Sequence, residues 1–231
     1  MMKKAVLFGS IGAIIETSDI QRRAYNAALR EAGLSWVWDR ATYAQLLEQS
    51  GGKDRLALLA AATGVQLTVA QIDAIHARKT EIACQEIVKT KPLPRPGVLE
   101  LAKLAQFRGL RLGFVTTTYQ PNIDAIFVAL GDTLRPSDFD HIVDREKIAH
   151  GKPAPDAYNY TLEALGVAAS DAIAIEDTAL SVMAAKRAGI TTVATPGDIS
   201  TDQDFWQADL VLPALSIRQD ELHPQIIELL G

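Results

Sequence analysis

Side chains that suit phosphate and cation binding stand directly after buried apolar runs of this 231-residue chain. Thr116 and Thr117 follow one run, Glu176 and Asp177 follow another, and Lys152 lies on a loop between them. Hydroxyl groups donate hydrogen bonds to phosphate oxygens, an ammonium group neutralises phosphate charge, and carboxylates bind a hard divalent cation. The sequence therefore predicts a phosphate site at Thr116, Thr117 and Lys152, and a metal site at Glu176 and Asp177.

The elements that position these side chains are short apolar runs rich in β-branched residues, which are typical of buried parallel strands. Helical stretches separate the runs, and Gly109, Gly166 and Gly189 close three of the helices. In an open sheet of this kind, ligands bind beyond the carboxyl ends of the strands. We therefore expect a doubly wound, Rossmann-like parallel α/β sheet with the polar residues at one edge. The predicted strands are residues 5–8, 110–115, 172–175, 191–194 and 210–212, and the predicted helices around them are residues 98–108, 157–165, 178–188 and 224–230.

A long insertion separates the first two predicted strands. It spans about a hundred residues, far more than one crossover helix needs. Its patterns predict helices at residues 20–32, 42–49, 53–62 and 68–89. The proline-rich residues 91–96 cannot continue a helix and predict a returning hinge, with Pro96 opening the next helix. We therefore expect an α/β core domain formed by residues 1–16 and 92–231, and an inserted α-helical cap domain formed by residues 17–91.

Composition and charge narrow the classes of partner. The formal net charge is -5 and Lys and Arg form no block, which argues against nucleic acid as a partner. No stretch approaches the roughly eighteen consecutive apolar residues of a membrane span, and the first apolar run breaks at Gly9 and Ser10, too early for a secretory signal. Cys84 is the only cysteine, which excludes an internal disulfide and predicts a small buried side chain. We expect a cytoplasmic monomer with a small-molecule ligand and no membrane partner.

Three stretches carry a specific family resemblance. They are residues 151–158 (GKPAPDAY), residues 175–178 (IEDT) and residues 184–190 (AAKRAGI). In these stretches and in their order, the chain resembles the haloacid dehalogenase superfamily, in its branch with a helical cap after the first strand, over essentially its whole length. The resemblance implies Mg²⁺-dependent hydrolysis of a sugar-phosphate monoester. It also places Gly12, Thr116, Thr117 and Lys152 at the phosphate.

Further stretches resemble the CbbY group of pentulose-bisphosphate phosphatases within that superfamily. They are residues 51–55 (GGKDR), 76–80 (HARKT), 95–98 (RPGV) and 204–209 (DFWQAD). In that group, basic cap residues face the distal part of the substrate, and the matching residues here are Lys53, Arg55, His76 and Lys79. The alternative for these four residues is solvated surface, and the alternative for Glu176 and Asp177 is capping of the helix that begins near Thr178.

The end of the first strand departs from the family pattern. Where the family has an aspartate nucleophile and, two residues later, an aspartate acid and base, this chain has Gly9 and Ile11. Glycine offers no atom for an aspartyl-phosphate bond, and isoleucine cannot transfer a proton. We expect Ser10 between them to point away from the site, because successive side chains of an extended segment alternate.

We therefore expect a catalytically impaired protein that still binds a phosphorylated metabolite or inorganic phosphate. Loss of the first aspartate also removes a metal ligand, so Mg²⁺ binding should weaken. Two alternatives remain open. One is an active phosphatase that uses a rearranged site, and the other is a scaffold whose surface binds another protein.

Overall fold

The core of the molecule is a parallel β-sheet of six strands. The computed structural model describes residues 2–48, 51–219 and 221–231. The strands are β1 (Ala5–Phe8), β2 (Arg111–Val115), β3 (His141–Val143), β4 (Ala172–Glu176), β5 (Thr191–Ala194) and β6 (Leu210–Val211). Their order across the sheet is β3-β2-β1-β4-β5-β6, and every neighbouring pair is parallel. The chain proceeds from central β1 toward one edge and later returns to build the other side, which confirms the predicted doubly wound α/β fold.

Both faces of the sheet are covered by helices. In β1, Val6 and Phe8 pack into the apolar cluster on one face, whereas Ala5 and Leu7 pack into the cluster on the other face. This alternation follows from the two-residue period of a strand, and burial of both faces explains why the whole strand is apolar. The first face carries α5 (Val98–Phe107), α6 (Gln120–Leu130) and α9 (Pro224–Leu230), and the second carries α7 (Asp156–Leu165) and α8 (Ala179–Arg187).

The insertion between β1 and β2 is helical, as the sequence predicts. Its helices are α1 (Ser18–Glu31), α2 (Arg40–Leu46), α3 (Gly52–Thr63) and α4 (Val69–Thr90). Trp38 is buried among them, with its ring centroid 4.5 Å from Tyr25 and 6.1 Å from Tyr43. Trp38 therefore packs the cap interior.

The cap also packs on the core. Ala83 and Ile87 of α4 share an apolar cluster with Ile20 and Ala24 of α1 and with Ala125 of α6. The division into residues 17–91 and the remaining chain stays a prediction. Among the described residues, no helix is both long and apolar enough to cross a membrane.

Two boundary predictions are wrong. Glu176 is the last residue of β4 and does not follow it. Pro96 does not open the next helix, because α5 begins at Val98 after Gly97, whose φ of 87° is left-handed and outside the helical region. A Cβ at Gly97 would also lie 2.6 Å from the backbone of Leu215, so the turn requires glycine.

Some elements were not predicted. Strand β3 has three residues, too few for a periodic signal. Helix α6 begins with Gln120 and Pro121, and its apolar residues form an almost continuous run that lacks a clear amphipathic stripe. The antiparallel pair β7 (Ser216–Arg218) and β8 (Glu221–Leu222) also went unpredicted.

The two chain segments that connect core and cap lie side by side. Ile15 and Pro94 form an antiparallel bridge, and the Arg95 amide donates to the Ile14 carbonyl at 2.8 Å. The Arg95 guanidinium donates to the carbonyls of Gly12, Thr195 and Pro196. The predicted hinge is therefore also hydrogen-bonded to the loop that follows β1.

Candidate functional site

A cavity of about 310 Å³ lies between the cap and the carboxyl ends of the central strands. Most of the residues that the sequence predicts for the site line it. From the core these are Thr116, Thr117, Lys152, Glu176 and Asp177, and from the cap they are Lys53, Arg55, His76 and Lys79. The polar groups collect there because parallel strands present their carboxyl ends at one edge of the sheet.

Gly12 is a predicted phosphate contact that does not line the cavity. Its amide donates to the Ile15 carbonyl at 2.8 Å, and its own carbonyl accepts from Arg95. Its φ is 79°, and a Cβ at this position would overlap the Asp177 carboxyl group, so a glycine is required. Gly12 thus shapes the turn after β1 and has no free amide for a phosphate.

The space beside Gly9 is occupied by a carboxylate from another strand. A Cβ built on Gly9 would lie 2.8 Å from Cδ and 3.0 Å from Oε1 of Glu176, and closer still to Oε2. Glu176 comes from β4, which pairs directly with β1. The Glu176 side chain therefore fills the room that an aspartate at position 9 would need.

The Glu176 carboxylate is held by two donors. Its Oε1 accepts short hydrogen bonds from the Lys152 ammonium and from the Tyr158 hydroxyl. All three side chains are buried, with Glu176 1% exposed and Lys152 7% exposed. Burial raises the pKa of Tyr158 well above its ordinary value, and the Glu176 charge adds to this effect. At neutral pH Tyr158 is therefore a hydrogen-bond donor to Glu176.

Asp177 lies at the same end of the cavity. Burial, together with the carboxylates of Glu176 and Glu16, raises the pKa of Asp177 well above its ordinary value. Glu16 itself is turned away, because its oxygens accept from the amides of Ser18 at 2.7 Å and Asp198 at 2.9 Å. The alternative role for Glu176 and Asp177 as caps is not seen, because Thr178 caps α8 by accepting from the Ser181 amide at 3.3 Å.

The donor set does not suit Mg²⁺ as it stands. Magnesium needs oxygen ligands in near-octahedral geometry, but Glu176 is already bonded to Lys152 and Tyr158. Within the part of the chain that the structure describes, no three acidic, histidine or cysteine side chains come together as metal ligands. The weakening of Mg²⁺ binding stays a prediction.

The prediction for Ser10 is wrong. Its hydroxyl lines the cavity and donates to Thr116 Oγ1 at 2.8 Å, so it points toward the site. The strand has ended at Phe8 and the chain turns at Gly12, so the alternation of an extended segment no longer applies. Thr116 Oγ1 also accepts from the Thr118 amide at 3.1 Å. Ile11, in turn, lines the cavity and packs against the apolar core.

At the cap end, Lys79 is buried and lines the cavity. It is 7% exposed, and its Nζ lies 4.8 Å from the centroid of the Tyr25 ring. Over the described residues, Lys79 has no hydrogen bond and no carboxylate within ion-pair distance. Burial lowers the pKa of Lys79 to about 7, and the nearby Arg55 charge adds to this effect. The solvated-surface alternative is therefore wrong for Lys79.

The other cap cations differ from Lys79 in their surroundings. Lys53 forms an ion pair with Asp73 at 2.7 Å, and both side chains are roughly half exposed. Arg55 lies 6.0 Å from the centroid of the Tyr43 ring. Burial lowers the pKa of His76 to about 4, with a further contribution from Lys79 and Lys53, so this imidazole is neutral at pH 7. The cations at this end of the cavity are therefore Lys53, Arg55 and Lys79.

Several residues of the site were not predicted. Tyr158 lies within the quoted stretch 151–158, and its place there could have marked it as a partner of the loop lysine. Lys79 follows Ile75 and precedes Ala83 and Ile87 at every fourth position of α4, and all four are buried. Residues four positions apart lie on one face of a helix, so this spacing places Lys79 on the apolar, buried face of α4. Ser18, Gln21, Tyr25, Tyr43 and Arg145 also line the cavity.

The comparisons with known proteins agree with this architecture. Residues 3–189 match the family model described as haloacid dehalogenase-like hydrolase. The chain is 39% identical to protein CbbY of Cupriavidus necator over 219 residues, which is 92% of this chain and 85% of that protein. It is 33% identical to protein CbbY of Rhodobacter capsulatus over 226 residues, covering 98% of this chain and all of that protein.

A solved structure resembles the chain closely. The crystal structure of CbbY from Rhodobacter sphaeroides in complex with phosphate has a TM-score of 0.86 and 34% identity, over 92% of this chain and 95% of that chain. A variant of the same Rhodobacter protein was crystallised in complex with xylulose-(1,5)bisphosphate. Both were matched along nearly the full length of the core and the cap.

Proposed function

Since the chain belongs to the haloacid dehalogenase-like hydrolases, we propose that it is a catalytically impaired relative of the sugar-phosphate phosphatases. In this proposal it binds a phosphorylated small molecule between cap and core and hydrolyses it at a very low rate. The observation that carries the proposal is at Gly9. The position of the family nucleophile has no side chain, and its space is filled by a carboxylate already bonded to Lys152 and Tyr158.

The chemistry of the remaining groups supports impairment. Covalent phosphoryl transfer needs a free nucleophile and a group that protonates the leaving oxygen. The position of the family acid and base holds Ile11, which has no proton to give. Removal of the nucleophile in one well-studied hydrolase lowers turnover by roughly a million-fold. We therefore expect turnover near the uncatalysed background.

Ligand binding is proposed to persist because a cavity of about 310 Å³ lies between cap and core and cationic side chains line it. The relative from Rhodobacter sphaeroides was crystallised with phosphate and, as a variant, with xylulose-(1,5)bisphosphate. Lys53, Arg55 and Lys79 line the cavity of this chain from the cap. A cytoplasmic location, a monomeric state and weakened Mg²⁺ binding belong to the same proposal.

A second candidate is an active phosphatase in which Glu176 replaces the missing aspartate. The favouring observation is the position of its carboxylate beside Gly9. Oε2 would attack phosphorus while the ester P–O bond breaks, and the leaving alkoxide would need a proton from solvent. Glu176 is 1% exposed and is held by two donors, which makes it a poor nucleophile. The third alternative, a protein-binding scaffold, has no comparable observation in its favour.

A phosphatase assay with Mg²⁺ and a panel of sugar phosphates tests the proposal. We expect no turnover above background from wild-type protein, and a rise in melting temperature with at least one phosphorylated ligand, since ligands that bind the folded state stabilise it. Turnover that persists through repeated purification would contradict impairment. The Glu176→Gln variant then separates the candidates, because it would abolish such turnover if Glu176 were the nucleophile.

A further inference from the structure

The core end of the cavity already contains its own anion. The Lys152 ammonium donates to Glu176 Oε1 and to the Val115 carbonyl at 3.3 Å, so two of its three protons are used within the protein. The Glu176 carboxylate neutralises the lysine charge, and Asp177 lines the cavity beside it. A phosphate dianion placed here would meet a buried carboxylate instead of a free cation, and like charges in a low-dielectric site repel strongly.

The cap end is the opposite case. Lys79 is buried, lines the cavity and faces the ring of Tyr25, and the described residues give it no carboxylate partner. Arg55, Lys53 and the Asp54 carboxylate also line the cavity, and Lys53 is ion-paired with Asp73 at 2.7 Å. A buried cation without an anionic partner is costly, and the cost is relieved when an anion binds. The lowered pKa values of Lys79 and His76 have the same origin.

We propose that the ligand carries a single phosphate, which binds at the cap end to Lys79 and Arg55, while Glu176 keeps the core end closed to a second phosphate. This inference rests on the proposed function, because it names the class of ligand for the same cavity. Ser10, Ser18 and Thr117 line the cavity with hydroxyl side chains and suit the neutral hydroxyl end of the ligand. The class is therefore a sugar or polyol monophosphate, held with its phosphate away from the sheet.

Titration calorimetry with ribose monophosphate, xylulose bisphosphate and inorganic phosphate tests this arrangement. For wild-type protein, we expect the monophosphate to bind more tightly than the bisphosphate. Lys79→Met should weaken monophosphate binding by about ten- to hundredfold, because a charged hydrogen bond is lost. Lys79→Gln serves as a second variant in case Lys79→Met does not fold, with a thermal melt as the check.

The matched control removes both charges of the Lys152–Glu176 pair, so that the net charge of the core end does not change. The double variant Lys152→Met with Glu176→Gln should change monophosphate affinity by less than about threefold, because neither side chain touches the phosphate in this arrangement. Glu176→Gln alone should free the Lys152 charge and strengthen binding of the bisphosphate and of inorganic phosphate by about tenfold or more.

The outcomes separate the inference from the proposed function. Loss of monophosphate affinity in the double variant, with Lys79→Met unaffected, would overturn the inference and place the phosphate at the core while leaving the proposed function intact. A wild-type protein that binds the bisphosphate more tightly than the monophosphate would also overturn it. Binding of none of the probes by wild-type protein and by Glu176→Gln would overturn both.

Discussion

Each end of the cavity holds one buried lysine, and the two lysines differ in what balances their charge. Lys152 at the core end lies against Glu176 and Tyr158, whereas Lys79 at the cap end lies against the ring of Tyr25. The exposed fraction is 7% for both residues, so burial does not distinguish them. The partner does. The charge of Lys152 is balanced within the protein by a carboxylate. The charge of Lys79 is not balanced in this way by any described residue, so an anionic ligand can balance it.

The difference also bears on the proposed absence of the nucleophile. Gly9 leaves room beside β1, and the carboxylate of the neighbouring strand fills that room. Lys152 thereby keeps a negative partner at hydrogen-bond distance, although the residue that supplies it comes from β4. Among the described residues, Lys79 at the cap end has no such carboxylate. The four predictions that follow would break or sharpen this contrast, from the largest expected effect to the smallest.

Aspartates at positions 9 and 11 should abolish the contrast between the two lysines, because Lys152 would then lose its pairing with Glu176. In Gly9→Asp with Ile11→Asp, the new side chain at position 9 needs the space of the Glu176 carboxylate, so Glu176 must turn away and release Lys152. We expect phosphatase activity with Mg²⁺ to rise on the order of a thousandfold or more, given the roughly million-fold effect of a nucleophile in one hydrolase. Initial rates of phosphate release measure this. The control is Gly9→Asn with Ile11→Asn, and a folded but equally inactive aspartate variant would show that other parts of the site have been lost.

Removing the core-end lysine should cost the protein much of its stability. Lys152→Met leaves Glu176 as a buried carboxylate with Tyr158 as its remaining donor. We expect the free energy of unfolding to fall by about 3–5 kcal/mol, as is typical when one partner of a buried ion pair is lost. Denaturant titration measures the change. Adding Glu176→Gln should recover most of the loss, and a double variant as unstable as the single one would mean that the pair is not the cause.

Removing the cap-end lysine should have the opposite effect and increase the stability of the protein. Lys79→Met replaces a buried cation that has no carboxylate partner, so we expect the free energy of unfolding to rise by about 1–4 kcal/mol. The charged and titratable groups around Lys79 are Arg55 of α3, Tyr25 of α1, and His76 and Cys84 of α4. A destabilised variant would indicate that Lys79 has an internal counter-ion after all.

The pH dependence of the free energy of unfolding provides a second test of the Lys79→Met substitution. The folded protein loses the Lys79 proton near pH 7, whereas the unfolded chain keeps it to about pH 10. Between these values the unfolded state binds more protons, so the contribution of Lys79 to the free energy of unfolding rises with pH. We expect a steeper rise from pH 7 to pH 10 in wild-type protein than in Lys79→Met. Parallel curves would contradict a lowered pKa for Lys79.

Much of the architecture could be predicted from the sequence because its signals are local. The four longer apolar runs mark β1, β2, β4 and β5 within one residue at each end. The rule that ligands bind beyond the carboxyl ends of strands then brings Thr116, Lys152, Glu176 and Asp177 together without any further information.

The parts that could not be predicted depend on contacts across the fold. No pattern in the sequence gives the direction in which Glu176 turns, because that depends on the space left by Gly9 on the neighbouring strand. Strand alternation predicts the wrong direction for the Ser10 side chain, because the turn at Gly12 ends that alternation. Strand β3 is recognisable by its pairing with β2, not by its three residues.

The two segments that connect core and cap are hydrogen-bonded to each other. Pro94 and Arg95 of the returning segment are bonded to Ile15 and Ile14 of the outgoing one, and the Arg95 side chain grips the Gly12 carbonyl. A movement of either segment would strain the hydrogen bonds to the other one. A rotation of the cap would therefore strain the Arg95 hydrogen bond to the turn at Gly12, at the edge of the sheet where the cavity lies.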